Sequence, residues 1–420
     1  MNLVQHRSKI NILEVLYLIL TVIVFELLDK STLFIGQIVF CISLLSNIQL
    51  LYKYRKVDIF FIFLGFSFIH IFYIFVYYFF DIPYHYILKY QTLYNTNKII
   101  FIQFIVLRLI FNGVSSKNYI IPRLNLLPIK NKYAFWIFLF ILIILIPISN
   151  SGLSTISSDY SIETKSSIWF EYSVIFIIIA SLYANTKIKT HTLKTIGFIF
   201  MCMPLLYGKR LAFLMVGLTL FNLYYSGKIK TKYLLFLFIG GFLVLRSFAV
   251  IRSNGLAGLS VQSVIFSVNN SGTLSNGPGG VLVSSVTYFG LIKEGIFNLV
   301  FSLKSFIGMF LSILIPSSLN IPETYVNTQA LKYENIPGNG GFPGIYFYLW
   351  GRYIGVFIGS LLLNFFIKKS QYSTKYAIYG VFLLSTFPRW YTYNMHILIK
   401  MGAWLFILLI ISKIYIKTTR

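Results

Sequence analysis

Acidic residues are the scarcest chemistry in this chain, with 11 Asp and Glu against 36 Lys and Arg. So few carboxylates leave little material for an acidic metal site, and no His, Cys, Asp or Glu cluster has metal-ligand spacing. The two cysteines, Cys41 and Cys202, lie inside apolar runs, which excludes a disulfide framework. No Gly-x-Gly-x-x-Gly or Walker pattern occurs, so nothing supports nucleotide-driven chemistry. The apolar runs are continuous and do not alternate with period two, which excludes a β-barrel. One absence is local: between Arg252 and Phe342 there is neither Asp nor His.

What is present is apolar. The chain is 57% hydrophobic and 11% charged, far from the soluble average of about 25% charged. A bilayer core about 30 Å thick needs roughly 20 apolar residues in a helix. The sequence predicts an all-α polytopic membrane protein with about twelve spans, near 10–28, 32–52, 59–80, 99–116, 134–150, 168–185, 193–207, 211–226, 233–251, 343–367, 374–390 and 394–412. The first run carries Glu14 and no small-residue cleavage pattern, so it is expected to stay as a span. A net charge of +25 would suggest nucleic acid in a soluble protein. Here the cations sit mainly in short loops, and every second loop is basic. The expectation is that both termini are cytoplasmic and that no nucleic acid is bound.

The 252–342 stretch breaks the pattern, being long and rich in Gly, Asn and Ser. Its apolar part, Ile296 to Pro316, carries Lys304 in the middle. A central Lys disfavours insertion by about 2.5–3.5 kcal/mol, and a crossing there would put the later basic loops outside. The stretch is therefore expected to be one large extracytoplasmic loop containing a membrane-lying or re-entrant helix. Turn chemistry at 269–272, 276–280 and 337–341 flanks it.

Charged groups in or beside spans are functional candidates. Lys209, Arg210, Arg246, Arg252, Arg352, Arg389 and Lys400 all fall on the side where positive charge is disfavoured. Arginine offers planar, bidentate donors to phosphate oxygens, so this cluster suits a phosphate or diphosphate group. Arg108, deeper in its span, needs a partner, for which Glu14, Glu26 and Glu171 are candidates.

Two patches carry a family resemblance. One is Gly208-Lys209-Arg210-Leu211-Ala212-Phe213, between adjacent spans. The other is Gly340-Gly341-Phe342-Pro343-Gly344-Ile345-Tyr346, running into Trp350-Gly351-Arg352 and the glycines 355 and 359. With the span layout, these resemble the O-antigen or capsule repeat-unit polymerases (Wzy type). The resemblance implies a glycosyltransferase of the bacterial inner membrane that needs no metal and no cofactor. Its substrate would be an undecaprenyl-diphosphate-linked oligosaccharide, its surroundings membrane lipids, and a chain-length regulator protein an allowed partner. Arg210, Arg246, Arg252, Arg352, Arg389, Lys209 and Lys400 would hold the diphosphate, and Glu294, Glu323 or Glu334 would serve as base. A lipid-oligosaccharide flippase is the first rival, disfavoured by the lack of an internal repeat. An O-antigen ligase is the second, disfavoured because that family uses a His in its large loop.

Overall fold

The computed structural model describes residues 12–27, 32–55, 58–79, 92–111, 133–150, 168–206, 210–254, 258–260, 263–264, 278–315, 319–334, 336, 340–372, 374–392 and 394–418. Lys209 and most of the three turn clusters lie outside them, as does the Arg252 side chain. Among the described residues every regular element is helical. In chain order these are α1 (Ile12–Leu27), α2 (Leu33–Lys53), α3 (Asp58–Phe79), α4 (Thr92–Phe111), α5 (Ala134–Asn150), α6 (Ile168–Tyr183), α7 (Lys187–Leu206) and α8 (Arg210–Leu220). Then follow α9 (Thr231–Asn254), α10 (Pro278–Lys293), α11 (Leu299–Leu311), α12 (Val326–Ala330), α13 (Pro343–Tyr372), α14 (Thr374–Thr392) and α15 (Met395–Thr418).

Five of these helices contain stretches long and apolar enough to cross a membrane: Leu33–Lys53, Phe60–Phe79, Leu93–Phe111, Pro343–Ser370 and Met395–Ser412. Shorter apolar helices accompany them, among them Val15–Leu27, Trp169–Tyr183 and Gly279–Lys293. The outer surface is inverted relative to a water-soluble fold. Leu20, Phe34, Phe140, Phe236, Ile354 and Leu362 are all more than half exposed. Apolar belts of this extent need a nonaqueous neighbour. The chain is thus an α-helical membrane protein.

Two cores organise the bundle. One joins α1 to α4 with α10 and α13. The other joins α5 to α8 with α15. Helix α14 lends residues to both: Phe387, Trp390 and Tyr391 to the first, Val381 and Phe382 to the second. Helix ends are closed locally. The Tyr54 hydroxyl donates to the Phe111 carbonyl at 2.7 Å, satisfying one of the carbonyls that α4 leaves open at its end.

The 252–342 stretch is more than a surface loop. Its α10 is buried on nearly all sides, packed against α3, α4 and α13. That helix was hidden in the sequence because Ser284, Ser285 and Thr287 dilute its apolar run. Gly295, at φ +78°, ends it in the left-handed conformation that glycine adopts freely. Next comes α11, whose 13 residues span only about 20 Å and fall short of a bilayer core. Its buried face is Ser302, Ser305 and Gly308, while Leu299, Val300, Leu303 and Phe310 point outward.

Helix α13 is broken. Gly351 and Arg352 leave the helical region, and Arg352 stands at φ +53°, ψ −143°. The chain folds back there. Phe347 and Gly359 would be roughly 18 Å apart in a straight helix, yet a Cβ placed on Gly359 would lie 2.5 Å from the Phe347 ring. One placed on Gly355 would overlap the Phe347 carbonyl. The Gly-rich face of the sequence is therefore the bed on which the first arm of its own helix rests.

A candidate site where three helix ends meet the loop

At one end of the bundle, α6 begins, α14 ends and α15 begins. Glu171 occupies the first turn of α6. It forms an ion pair with Arg389, Oε2 to Nε, at 3.1 Å, with side chains 12% and 25% exposed. Arg389 follows Pro388, which cannot donate to the helical ladder and so loosens the last turn of α14. The helix then closes through Asn394 N–H to the Arg389 carbonyl at 3.2 Å. Asn394 also caps α15, its Oδ1 accepting from His396 N–H at 3.2 Å. This tight corner fixes Arg389, His396 and Lys400 relative to one another. His396 and Lys400 are four apart, on one face of α15.

The loop reaches the same place. Tyr325 lies between the 3-10 turn Pro322–Thr324 and α12. Its ring meets His396 edge-on, with centroids 5.6 Å apart and planes at 84°. Tyr172 lies within electrostatic reach of Glu171 and Arg389, and Tyr346, in the first arm of α13, within that of Arg389. Tyr346 hydrogen-bonds Tyr288 of α10, whose hydroxyl donates to Asn327 Oδ1 at 3.3 Å. His396 Nδ1 is buried and has no hydrogen-bond partner among the described residues. The site combines a carboxylate, a guanidinium, an ammonium, an imidazole and several phenols in a poorly hydrated corner, where charges act strongly.

The structure divides the residues that the sequence singled out. Arg389 and Lys400 stand together in this site. Arg210 donates from its Nη1 to the Leu245 carbonyl of α9 at 3.4 Å. Arg246, next along, donates from its Nε to the Val264 carbonyl at 3.1 Å and is buried. That pair braces backbone between α8, α9 and the start of the loop. Arg352 lies at the break in α13, exposed, with its guanidinium 5.4 Å from the Tyr348 ring centre. Among the loop carboxylates, Glu323 pairs with Lys304 of α11 at 3.2 Å. Glu294 is exposed in the turn ending α10, and Glu334 is half-buried after α12. Of the candidate partners for Arg108, Glu26 pairs with Lys98 and Glu171 with Arg389.

Glu171, Tyr325 and His396 are the members that the sequence did not place in a site. Glu171 had a signal, being an acidic residue inside an apolar run. Among the described residues no group of three metal-ligating side chains occurs. Compared with family models, with curated proteins and with solved structures, the chain matches none.

Proposed function

We propose that this protein polymerises lipid-linked oligosaccharide repeat units at the outer face of the bacterial inner membrane. The donor would be a glycan on undecaprenyl diphosphate, the acceptor a sugar hydroxyl of the next lipid-linked unit. The observation that carries this reading is the Glu171–Arg389 pair with His396, Lys400 and the loop residue Tyr325 gathered against it. Charge bias in the sequence assigns that end of the bundle to the outside, with twelve spans and both termini within.

The chemistry needs no external energy source. The acceptor oxygen bonds to the anomeric carbon as the bond from that carbon to the diphosphate oxygen breaks. The leaving diphosphate keeps the electron pair. Arg389 and Lys400 stabilise the charge growing on it. The acceptor proton passes to a nearby base, for which His396 and Glu171 are placed as candidates. In this reading the base comes from His396 or Glu171 rather than from the loop carboxylates Glu294, Glu323 and Glu334, of which Glu323 pairs with Lys304.

One observation favours a second reading, transfer of finished glycan to another lipid as an O-antigen ligase does. The loop has no histidine of its own, but His396 reaches it from α15. The lack of a loop histidine therefore separates the two readings less sharply than the sequence alone suggested. A deletion strain decides. Surface glycan capped at a single repeat unit supports polymerisation. Full-length polymer left unattached supports ligation, and unchanged surface glycan overturns both.

A further inference from the structure

A second polar cluster lies on the other flank of the broken helix, and the transfer reaction makes no use of it. Lys98 of α4 is 1% exposed and pairs with Glu26 at the end of α1, itself 46% exposed. The Lys98 ammonium sits 5.4 Å from the Tyr94 ring centre and 5.9 Å from that of Tyr353. Tyr353 faces Glu26 and stacks edge-on against Tyr348 at 5.2 Å. Two further cations complete the cluster. Lys293, ending α10, lies 3.8 Å over the Tyr94 ring, and Arg352 lies by Tyr348.

Three features point to a ligand. Lys293 and Arg352 are both exposed and have no acidic partner among the described residues. The Tyr353 hydroxyl is buried against the Glu26 carboxylate and has no further hydrogen-bond partner among the described residues. The backbone at Arg352 is held at positive φ, a conformation an arginine resists, and such strain concentrates where a side chain must be held in place.

We propose that this cluster binds an anionic sugar unit, one carrying a carboxylate or phosphate. Arg352 and Lys293 take the anion by charge-assisted hydrogen bonds. Tyr94 and Tyr348 offer flat faces to the carbon side of the sugar ring. Glu26 and the Tyr353 hydroxyl meet its hydroxyl groups. Glu26 gives a hydroxyl-bearing ligand an acceptor that a bare phosphate has no donor to use. The site stands apart from the Glu171–Arg389 pair and does not depend on the transfer reaction proposed there.

The test is binding of sodium glucuronate to the purified full-length protein in detergent, followed by saturation-transfer NMR. Glucose, inorganic phosphate and phosphatidylglycerol are the comparison probes. Glucuronate is expected to bind at least about tenfold more tightly than glucose. Lys293→Gln and Arg352→Gln are each expected to weaken it by about tenfold, the effect of losing one charged contact. Tyr348→Leu should weaken glucuronate and leave phosphate unchanged. Lys293 lies on an exposed helix end, so Lys293→Gln keeps the test valid if the strained Arg352 position does not tolerate glutamine. Equal binding of glucose and glucuronate overturns the proposal, as does unchanged binding in Lys293→Gln. So does phosphate or phosphatidylglycerol displacing glucuronate at equal concentration, which would make this a bare anion or headgroup site.

Discussion

The two flanks of α13 treat charge in opposite ways. Around α6, α14 and α15, Arg389 has a carboxylate at 3.1 Å. Around the break in α13, Lys293 and Arg352 rest against tyrosine rings instead. A cation held by a carboxylate is fixed in direction before anything binds, which is what transition-state stabilisation demands. A cation on an aromatic face gives up little when it turns to an incoming anion. The first arrangement suits a step in which charge appears during reaction. The second suits a ligand that arrives already charged. The Lys98–Glu26 pair stands between them, since it fixes the second flank but leaves its outer cations uncommitted.

That intermediate pair offers the largest expected effect. Glu26→Gln removes the carboxylate that faces the buried Lys98 ammonium, which should destabilise the protein by about 3–5 kcal/mol. A thermal unfolding curve in detergent would record this as a large drop in midpoint. Adding Lys98→Met to that variant should recover most of the loss. A Glu26→Gln midpoint equal to wild type would mean that the pair does not brace the second flank.

Next in size are Glu171→Gln and Arg389→Ala. Each should reduce polymer formation by about 10²–10³-fold if a transition-state contact is lost. Surface glycan chain length, with protein level monitored by immunoblot, reads the effect. The matching change on the other flank, Lys293→Gln, should weaken glucuronate binding by about tenfold and reduce polymer formation far less than either of these. Equal rate losses from both flanks would erase the contrast between them.

The same contrast explains what could be read from sequence. The long apolar helices α2, α3, α4 and α15 were legible because their length and composition mark them in the sequence. The buried α10 was not, because its serines and its place in a polar stretch mask a helix that packs rather than crosses. The cations at 352, 389 and 400 were legible as charges in or beside apolar runs. Their partners were not, because pairing joins positions far apart in the chain: Glu171 to Arg389, Glu26 to Lys98. The glycines at 355 and 359 were visible as part of a motif, but nothing local showed that Phe347 of the same helix would rest on them. His396 had no local signal of a partner, and only the capped α14–α15 corner turns it toward Tyr325.

The fold-back of α13 gives a smaller effect on stability. Gly359→Ala puts a methyl group where the Phe347 ring lies, and overpacking of this kind costs about 1–3 kcal/mol. Because the first arm carries Tyr346 toward Arg389 and Tyr348 toward Arg352, the substitution should disturb both flanks at once. Loss of polymerisation with glucuronate binding intact would mean that the arm serves only one of them.

The smallest effect is the most pointed. Arg352→Gly removes a side chain from a backbone at φ +53°, where only glycine is at ease. A strained residue of this kind stores about 1–3 kcal/mol. The greater freedom of glycine in the unfolded chain returns about 1 kcal/mol of that. The expected net is a midpoint equal to or slightly above wild type, together with loss of glucuronate binding. Stability kept and affinity lost would show that the chain tolerates the strain for the sake of the guanidinium. A clear fall in midpoint would instead make Arg352 a structural clamp on the break, and the second flank would lose its claim to a ligand.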